Sequence, residues 1–262
     1  MSTRRDVTVR KLERFFAPLL PDDGELLLDG QEAHHMLHVK RLRPGDGVLL
    51  FDGGGREAVA RVVGAKRGVA RLCIERVDKV DREARIPISL AFSVPKGKKA
   101  EFLVQKCCEL GVRRLIPLGC ERSVVKLAPE GSHKGGSNKT EKWRSVALES
   151  SKQCGRTYVT EVSEVVSFKG LVEPESIRDY RPRLFASTGP EAVALSEVIG
   201  RRRYWSRGVL CIIGPEGGFT EEETEMAVRS GCAPVSLGPR VLRTETAAVA
   251  LVSMLLYAYS AW

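Results

Sequence analysis

The sequence has no apolar run long enough to cross a membrane. The longest such stretch, residues 247–259, contains Ser253 and is shorter than the roughly 20 residues that a bilayer core requires. Residues 1–11 are basic and polar, so they lack the apolar centre of a secretory signal peptide. These absences disfavour membrane and secreted proteins and predict a cytoplasmic protein without membrane association.

Cysteine and histidine occur without a metal-binding or redox pattern. The chain has seven cysteines and no C-x-x-C pair, which excludes a zinc ribbon and a redox dithiol. We interpret the cysteines as small buried residues in a reducing compartment. His34 and His38 are four residues apart and could share a helical face, but no third ligand is evident. The sequence therefore predicts no metal site.

Motifs of several enzyme classes are also missing. The chain contains no Walker sequence, no G-x-S-x-G elbow and no paired Cys/His nucleophile. Gly53, Gly55 and Ala58 have the spacing of a dinucleotide fingerprint, but the residues after them alternate as in a strand instead of opening a helix. We therefore reject a dinucleotide site there.

Positive charge is concentrated in one part of the chain. The sequence has 42 Lys and Arg against 33 Asp and Glu, a net charge of +9. Residues 95–156 contain fourteen of the basic and six of the acidic residues. A basic face of this kind favours nucleic acid or another polyanion as a partner. A solvated basic surface explains the same composition, so charge alone leaves both interpretations open.

Residues 1–82 have the pattern of a small β-barrel or sandwich. Alternating and β-branched residues predict strands at 25–29, 48–52, 57–63 and 69–77. A short helix is predicted at 31–40. Residues 43–46 (RPGD) favour a tight turn, because proline fixes φ at the second position and glycine tolerates positive φ at the third. Residues 52–55 are predicted to close a hairpin.

Residues 83–262 follow a different pattern, in which strands alternate with helices over short connections. This pattern is typical of a parallel α/β sheet. The predicted strands are 86–94, 112–118, 183–187, 209–213 and 234–237. The predicted helices are 98–110, 141–153, 221–229 and 245–259. A charged stretch at 78–85 separates the two patterns, so we predict the domain boundary near residue 82. Within the second domain, residues 128–140 are predicted to form a flexible surface loop.

A first glycine loop (residues 214–218, GPEGG) follows the predicted strand 209–213. Thr220 and Glu223 form the capping box of the helix that comes next, and such strand-to-helix joins are the usual ligand sites of α/β sheets. Glu216 and the glutamates at 221–223 make the loop acidic, which disfavours a phosphate. A neutral or cationic ligand, such as the sulfonium of S-adenosylmethionine, fits better. The alternative is a structural Gly-Pro turn.

A second glycine loop (residues 237–246, LGPRVLRTET) also follows a strand and opens a helix. The two loops are therefore expected to meet at one edge of the sheet. Thr244 is predicted to be the N-cap of the helix, and Arg240 and Arg243 are placed where they could contact an anion. The helix itself is apolar on nearly all sides, which predicts burial in the core or against a second subunit.

With these two loops the chain resembles the RsmE family, the 16S ribosomal RNA uridine-N3 methyltransferases of the SPOUT superfamily. The resemblance covers almost the whole chain, in blocks that keep the family's order. The blocks are 14–16 (RFF), 34–46 (HHMLHVKRLRPGD), 106–112 (KCCELGV), 121–126 (ERSVVK), 153–156 (QCGR), 214–218 (GPEGG) and 237–247 (LGPRVLRTETA).

The resemblance implies a fold, a cofactor and a partner. The fold is an N-terminal PUA-like RNA-binding β-barrel (1–82) and a C-terminal α/β SPOUT domain (83–262), a parallel sheet whose chain forms a trefoil knot. The family works as a homodimer that binds S-adenosylmethionine in the knot and acts on 16S rRNA of the small ribosomal subunit. The implied cofactor-binding residues are Ser187, Ile213, Gly214, Pro215, Glu216, Gly217, Gly218, Leu237, Gly238, Val241, Leu242, Arg243, Thr244 and Thr246.

The implied reaction requires the uracil N3 to lose its proton, because protonated N3 is a poor nucleophile. Negative charge then spreads to O2 and O4, where a fixed cation would stabilise it. Arg243 is the candidate for that cation, and Glu245 is the candidate proton acceptor. Alternatively, Arg243 forms a salt bridge with Glu245 or contacts the carboxylate of the cofactor.

Candidate RNA contacts lie outside the two glycine loops. They are Arg14, His35 and Arg41 in the first domain and Lys96, Lys98, Arg122, Lys126 and Arg156 in the second. Two alternatives to a 16S rRNA enzyme stay open: a SPOUT methyltransferase that acts on another RNA, and an RNA-binding assembly factor without catalysis. The intact glycine loops argue against the second alternative.

Overall fold

The computed structural model describes residues 12–125, 137–200 and 208–259. The chain divides into two compact units, Met1–Arg82 and Glu83–Trp262. Within the described ranges, every helix is too short or too polar to span a membrane.

The first unit is built on a five-stranded sheet. Its strands are β1 (Glu13–Phe16), β2 (Glu25–Leu28), β3 (Gly47–Phe51), β4 (Arg56–Lys66) and β5 (Val69–Lys79). They lie in the order β1-β3-β4-β5-β2, with β1 parallel to β3 and the other pairs antiparallel. Helix α1 (Gly30–His34) continues into a π-helical turn (His35–Val39), which together match the predicted helix.

Local sequence explains most of this sheet. In the predicted turn, the amide of Asp46 donates to the carbonyl of Arg43 at 3.0 Å, and Gly45 has φ +97°. Residues 52–55 join β3 to β4, so the predicted hairpin is confirmed. The residues that follow the rejected dinucleotide motif form strand β4 and not a helix. The pairing of β4 with β5 contains register shifts of the kind that β-bulges produce, and one face of the sheet carries an apolar core. Strand β1 was not predicted.

The second unit contains an eight-stranded sheet in which every pairing is parallel, so the parallel α/β prediction is confirmed. Seven strands lie in the order β11-β13-β10-β12-β6-β7-β8, and β9 also pairs with β7. The strands are β6 (Ile88–Ser93), β7 (Arg114–Gly119), β8 (Glu161–Val162), β9 (Val166–Ser167), β10 (Arg183–Ala186), β11 (Val193–Ala194), β12 (Val209–Ile213) and β13 (Ala233–Ser236).

Helices cover both faces of this sheet. They are α2 (Lys99–Glu109), α3 (Ser137–Cys154), α4 (Phe168–Leu171), α5 (Pro174–Ile177), α6 (Leu195–Gly200), α7 (Glu221–Arg229) and α8 (Thr244–Ala258). In β12, Val209, Cys211 and Ile213 pack into the core with α2, α3 and α8. Leu210 and Ile212 pack into the core with α4, α5 and α7. A strand covered on both faces needs a continuous apolar run, which is what residues 209–213 provide.

The seven cysteines are all free thiols. The prediction that they are buried is confirmed for five of them and wrong for Cys73 and Cys154, which are exposed. Burial raises the pKa of Cys120 to about 12, with a further contribution from the nearby Glu223 carboxylate. Burial also raises the pKa of Cys211. These two thiols stay protonated at neutral pH, so they are packing residues and not nucleophiles.

Candidate active site

A cavity of about 570 Å³ lies at the carboxyl edge of the parallel sheet. Its walls are the loops that follow β7, β10, β12 and β13, together with the first turn of α8. Ligands of open α/β sheets bind at this edge, and the volume is within the range of small-molecule sites. The position and the size therefore mark the cavity as the candidate active site.

Both glycine loops line this cavity, although β10 separates the strands that precede them. The hydroxyl of Thr244 donates to the carbonyl of Gly214 at 3.1 Å and joins one loop to the other. The expectation that the loops meet is therefore confirmed. The predicted N-cap is wrong, because Thr244 is the first residue of α8 and Arg243 occupies the N-cap position. The Thr244 hydroxyl ties the loops together instead of capping the helix.

The first glycine loop is held in place from two sides. The predicted capping box is confirmed, and Glu223 also accepts a hydrogen bond from the amide of Glu121 at 2.9 Å. Arg122 donates to the carbonyls of Gly217 and Phe219, each at 3.2 Å. Arg122 was predicted to contact RNA, and the structure places it in the cavity wall.

Position 214 requires glycine because the backbone there passes close to the ring of Phe219. A Cβ atom there would lie 2.9 Å from the ring of Phe219. That ring packs against Phe168 and Phe185, with ring centroids 5.3 and 5.8 Å away. Because the ring is enclosed on these sides, it has little room to move. The glycine therefore lets the loop pass directly over an aromatic cluster at the floor of the cavity.

Most of the predicted cofactor-binding residues meet in this cavity. The twelve that line it are Ser187, Ile213, Gly214, Pro215, Glu216, Gly217, Gly218, Leu237, Gly238, Val241, Leu242 and Thr244. Arg243 and Thr246 are exposed and lie outside the lining. The sequence prediction missed the loop at 188–191, where Glu191 accepts a hydrogen bond from Ser187 at 2.5 Å. This loop follows the parallel strand β10, and that position is the signal from which the sequence could have identified it.

The charge of the lining favours a cationic or neutral ligand. The acidic side chains at the cavity are Glu191, Glu216, Glu221 and Glu225, whereas the basic ones are Arg122 and Arg240. Apolar side chains of both glycine loops complete the wall, which suits the adenine and methylene groups of an adenosyl ligand. A polyphosphate would meet an excess of carboxylates. The residues present therefore fit S-adenosylmethionine.

The two predicted catalytic residues lie at the start of α8. Arg243 is exposed and makes no ion pair with any described residue. Glu245 is buried, and its Oε1 lies 3.7 Å from Nζ of Lys99. Its Oε2 is buried without a hydrogen-bond partner in the described part of the chain. The alternative salt bridge between Arg243 and Glu245 is therefore not observed, and Lys99 takes the place of Arg243.

Two of the residues that were predicted to contact RNA form buried ion pairs instead. The structure therefore corrects both predictions. The side chain of Arg14 is 10% exposed, donates to Glu57 at 2.7 Å and lies over the ring of Phe51. Arg156 is 4% exposed and donates to the carboxylate of Glu83 and to the carbonyl of Cys108. Guanidinium groups enclosed in this way support the fold and do not reach a phosphate.

The remaining candidates differ in accessibility. Arg41, Lys96 and Lys98 are exposed, and His35 is half-buried with its ring against Phe15. Lys96 also lines a small hollow beside the first glycine loop. Lys126 and residues 128–136 of the predicted loop lie outside the described residues, and the loop prediction is wrong for 137–140, which begin α3.

His34 and His38, the histidine pair singled out in the sequence, lie side by side in the first unit. The rings of His34 and His38 are 5.0 Å apart. Across the described ranges, no cluster of three or more His, Cys, Asp or Glu side chains could hold a metal ion.

Comparison with known proteins identifies the family. A model of an RNA methyltransferase domain matches residues 82–256, and a model of an RNA methyltransferase PUA domain matches residues 28–73. The chain is 33% identical to the ribosomal RNA small subunit methyltransferase E of Bacillus subtilis, over 94% of this chain and 96% of that relative. The chain belongs to the ribosomal RNA small subunit methyltransferase E family.

Solved structures of similar proteins carry the same architecture. The family member from Neisseria gonorrhoeae, bound to S-adenosylmethionine, is 29% identical with a TM-score of 0.81, and the match covers 95% of this chain and 98% of that one. A protein from Legionella pneumophila, solved with the same cofactor, is 31% identical with a TM-score of 0.83 and the same coverage. The α/β fold with an N-terminal PUA-like domain is therefore confirmed for this methyltransferase.

Proposed function

We propose that this enzyme transfers a methyl group from S-adenosylmethionine to N3 of a specific uridine in 16S ribosomal RNA of the small subunit. Membership of the family supports a ribosomal RNA methyltransferase, and the SAM-bound relatives support the cofactor. The target atom rests on the RsmE resemblance. The observation that carries the proposal is the cavity in which both glycine loops meet, joined by the Thr244–Gly214 hydrogen bond.

S-adenosylmethionine supplies an electrophilic methyl group, whose C–S bond breaks with its electron pair left on sulfur as N3 forms the new bond. The twelve lining residues of the prediction would hold it, and the carboxylates at the cavity would offset the sulfonium charge. Arg243 is proposed to stabilise the negative charge on the uracil oxygens. Glu245 is proposed to accept the N3 proton, because its Oε2 is buried and has no hydrogen-bond partner among the described residues.

The two compact units support a division of labour. We assign RNA binding to the PUA-like unit (1–82) together with exposed lysines of the SPOUT unit (83–262). Methyl transfer is assigned to the SPOUT unit, for which we also propose the trefoil knot of the family. The exposed residues Arg41, Lys96 and Lys98 are the proposed RNA contacts. The enzyme would act in the cytoplasm, where its small-subunit substrate is found.

Apolar side chains around α8 support the proposed homodimer. Met254 and Tyr257 on this helix are 43% and 83% exposed, and Val241 in the second glycine loop is 80% exposed. Exposed apolar side chains of this size are candidates for a subunit interface. A second copy of the chain that covers Val241 would place the subunit interface next to the cavity.

Replacement of Arg41 by glycine is expected to stabilise the first unit and to weaken RNA binding. Arg41 has φ +55° at the end of the π-helical turn, a conformation that glycine adopts without the steric penalty of a side chain. The free energy of unfolding should rise by up to about 1 kcal/mol, while the affinity for a 16S rRNA fragment falls. Denaturant unfolding and filter binding measure the two effects.

Arg67→Gly is the matched control, because Arg67 also has a positive φ of 51° but lies in the turn between β4 and β5. It should bring the same gain in stability with unchanged RNA affinity. Equal RNA affinities of Arg41→Gly and wild type would contradict the proposed contact.

Gly214→Ala is expected to destabilise the enzyme and to weaken cofactor binding, because the new Cβ would collide with the enclosed ring of Phe219. Overpacking of this kind costs about 1–3 kcal/mol. Gly217→Ala is the control for stability, since its Cβ would meet Arg122 at an ordinary 3.5 Å. Thermal unfolding of both variants and calorimetric titration with S-adenosylmethionine measure the effects. Equal stabilities of the two variants would contradict the packing argument.

Primer extension on 16S rRNA from cells that lack the protein tests the proposed function. Methylation at N3 blocks base pairing, so reverse transcriptase stops at the modified uridine. The stop should disappear in the deletion strain and return when the wild-type chain is expressed. A stop that persists in the deletion strain, or one that is lost from another RNA instead, would contradict the proposal.

A further inference from the structure

Lys99 lies between two carboxylates that belong to different parts of the active site. Its ammonium group donates to Oε1 of Glu216 at 3.2 Å and lies 3.7 Å from Oε1 of Glu245. Glu216 belongs to the first glycine loop, and Glu245 belongs to the first turn of α8. Lys99 itself begins α2, which packs against α8. One side chain outside both loops therefore connects them.

The two oxygens of the Glu245 carboxylate have different surroundings. The residue is 9% exposed, and its Oε1 faces the ammonium group of Lys99. Its Oε2 is buried and has no hydrogen-bond partner in the described part of the chain. Buried polar atoms in folded proteins nearly always have a partner. An acceptor left in this state fits a donor that arrives with a substrate.

We propose that Lys99 is a positioning residue for methyl transfer, an inference that rests on the proposed function. Its ammonium group holds Oε1 of Glu245 and leaves Oε2 available to the N3–H group of the target uridine. When the N3–H bond breaks, the proton moves to Oε2 and the electron pair stays on N3, where it forms the bond to the transferred methyl group. Glu245 afterwards releases the proton to water.

The test compares turnover with cofactor affinity in full-length variants acting on small ribosomal subunits. Lys99→Met is expected to lower kcat about tenfold or more, as for a disturbed general base, while the affinity for S-adenosylmethionine stays nearly unchanged. Lys99→Arg keeps the positive charge and should recover most of kcat. Lys169→Met is the matched control, because Lys169 is an exposed lysine of α4 without a carboxylate partner among the described residues. It should turn over as the wild type does.

A double variant separates positioning from a general structural role. In the Glu245→Gln background, adding Lys99→Met should change kcat by less than about twofold, because the group through which Lys99 acts is already gone. Multiplicative losses in the double variant would overturn the proposal. So would a Lys99→Met variant with wild-type kcat, or one that loses as much cofactor affinity as turnover. A folded Lys99→Arg variant that is as slow as Lys99→Met would also overturn it.

The wild-type control distinguishes this inference from the proposed function. If the wild type methylates small subunits and Lys99→Met behaves like Lys169→Met, the proposed function stands and the role of Lys99 is wrong. If the wild type is inactive on small subunits, the proposed function fails and this inference fails with it.

Discussion

Arg243→Ala is expected to lower the turnover of the methyltransferase by about 10²–10³, the usual effect of removing an electrostatic stabiliser of a developing anion. Affinity for S-adenosylmethionine should change only slightly, because Arg243 lies outside the cavity lining. The absence of an ion pair to Arg243 among the described residues leaves its guanidinium group available to the uracil oxygens. Single-turnover methylation of small subunits, together with calorimetric titration of the cofactor, measures both quantities.

Arg178→Ala is the control for this experiment, since the Arg178 side chain is 73% exposed and pairs only with the equally exposed Asp179 within the described structure. It should keep the wild-type turnover. If Arg243→Ala instead loses cofactor affinity and keeps its turnover with saturating cofactor, Arg243 contacts the cofactor carboxylate and the assignment is reversed.

Arg156→Met is expected to destabilise the second unit by about 3–5 kcal/mol, the usual effect of breaking a buried ion pair. The guanidinium group of Arg156 donates to Glu83, to the carbonyls of Cys108 and Val112, and to Thr160. Methionine keeps much of the side-chain volume but none of these donors. Denaturant unfolding measures the loss of stability.

Arg229→Met is the matched control, because Arg229 forms an exposed ion pair with Glu225. Exposed pairs contribute only about 0–1 kcal/mol.

The salt dependence of RNA binding provides a second readout. Arg156→Met should leave the log–log slope unchanged, whereas Lys96→Met should reduce it by roughly one unit. A slope that falls in Arg156→Met with no loss of stability would restore Arg156 as a phosphate contact.

Arg156 also illustrates where prediction from sequence reaches its limit. Arg156 belongs to the sequence block 153–156, which led to the prediction of an RNA contact. Whether the side chain is buried depends on distant residues that surround it in the fold. Glu83 lies 73 positions away in the sequence, so no local pattern could pair the two. The same holds for Lys99, whose partners lie 117 and 146 positions away.

Local patterns succeeded where neighbouring residues alone determine the structure. The apolar run 209–213 requires a strand buried on both faces, and it forms β12 with the predicted bounds. The capping box of Thr220 and Glu223 specifies the start of α7. By contrast, β8, β9 and β11 are two-residue strands that carry no periodicity. Thr244 has the residue type of an N-cap, but the helix begins one residue earlier than predicted, so Thr244 is its first residue and its hydroxyl donates to the carbonyl of Gly214.

Calorimetric titration of the full-length enzyme with S-adenosylmethionine, with and without ATP, tests the central claim most directly. The cavity that the two glycine loops line has an excess of carboxylates, which favours a sulfonium ligand over a phosphorylated one. We expect saturable binding of S-adenosylmethionine that ATP does not displace. Binding of ATP in competition with S-adenosylmethionine, or no binding of S-adenosylmethionine at all, would contradict the account.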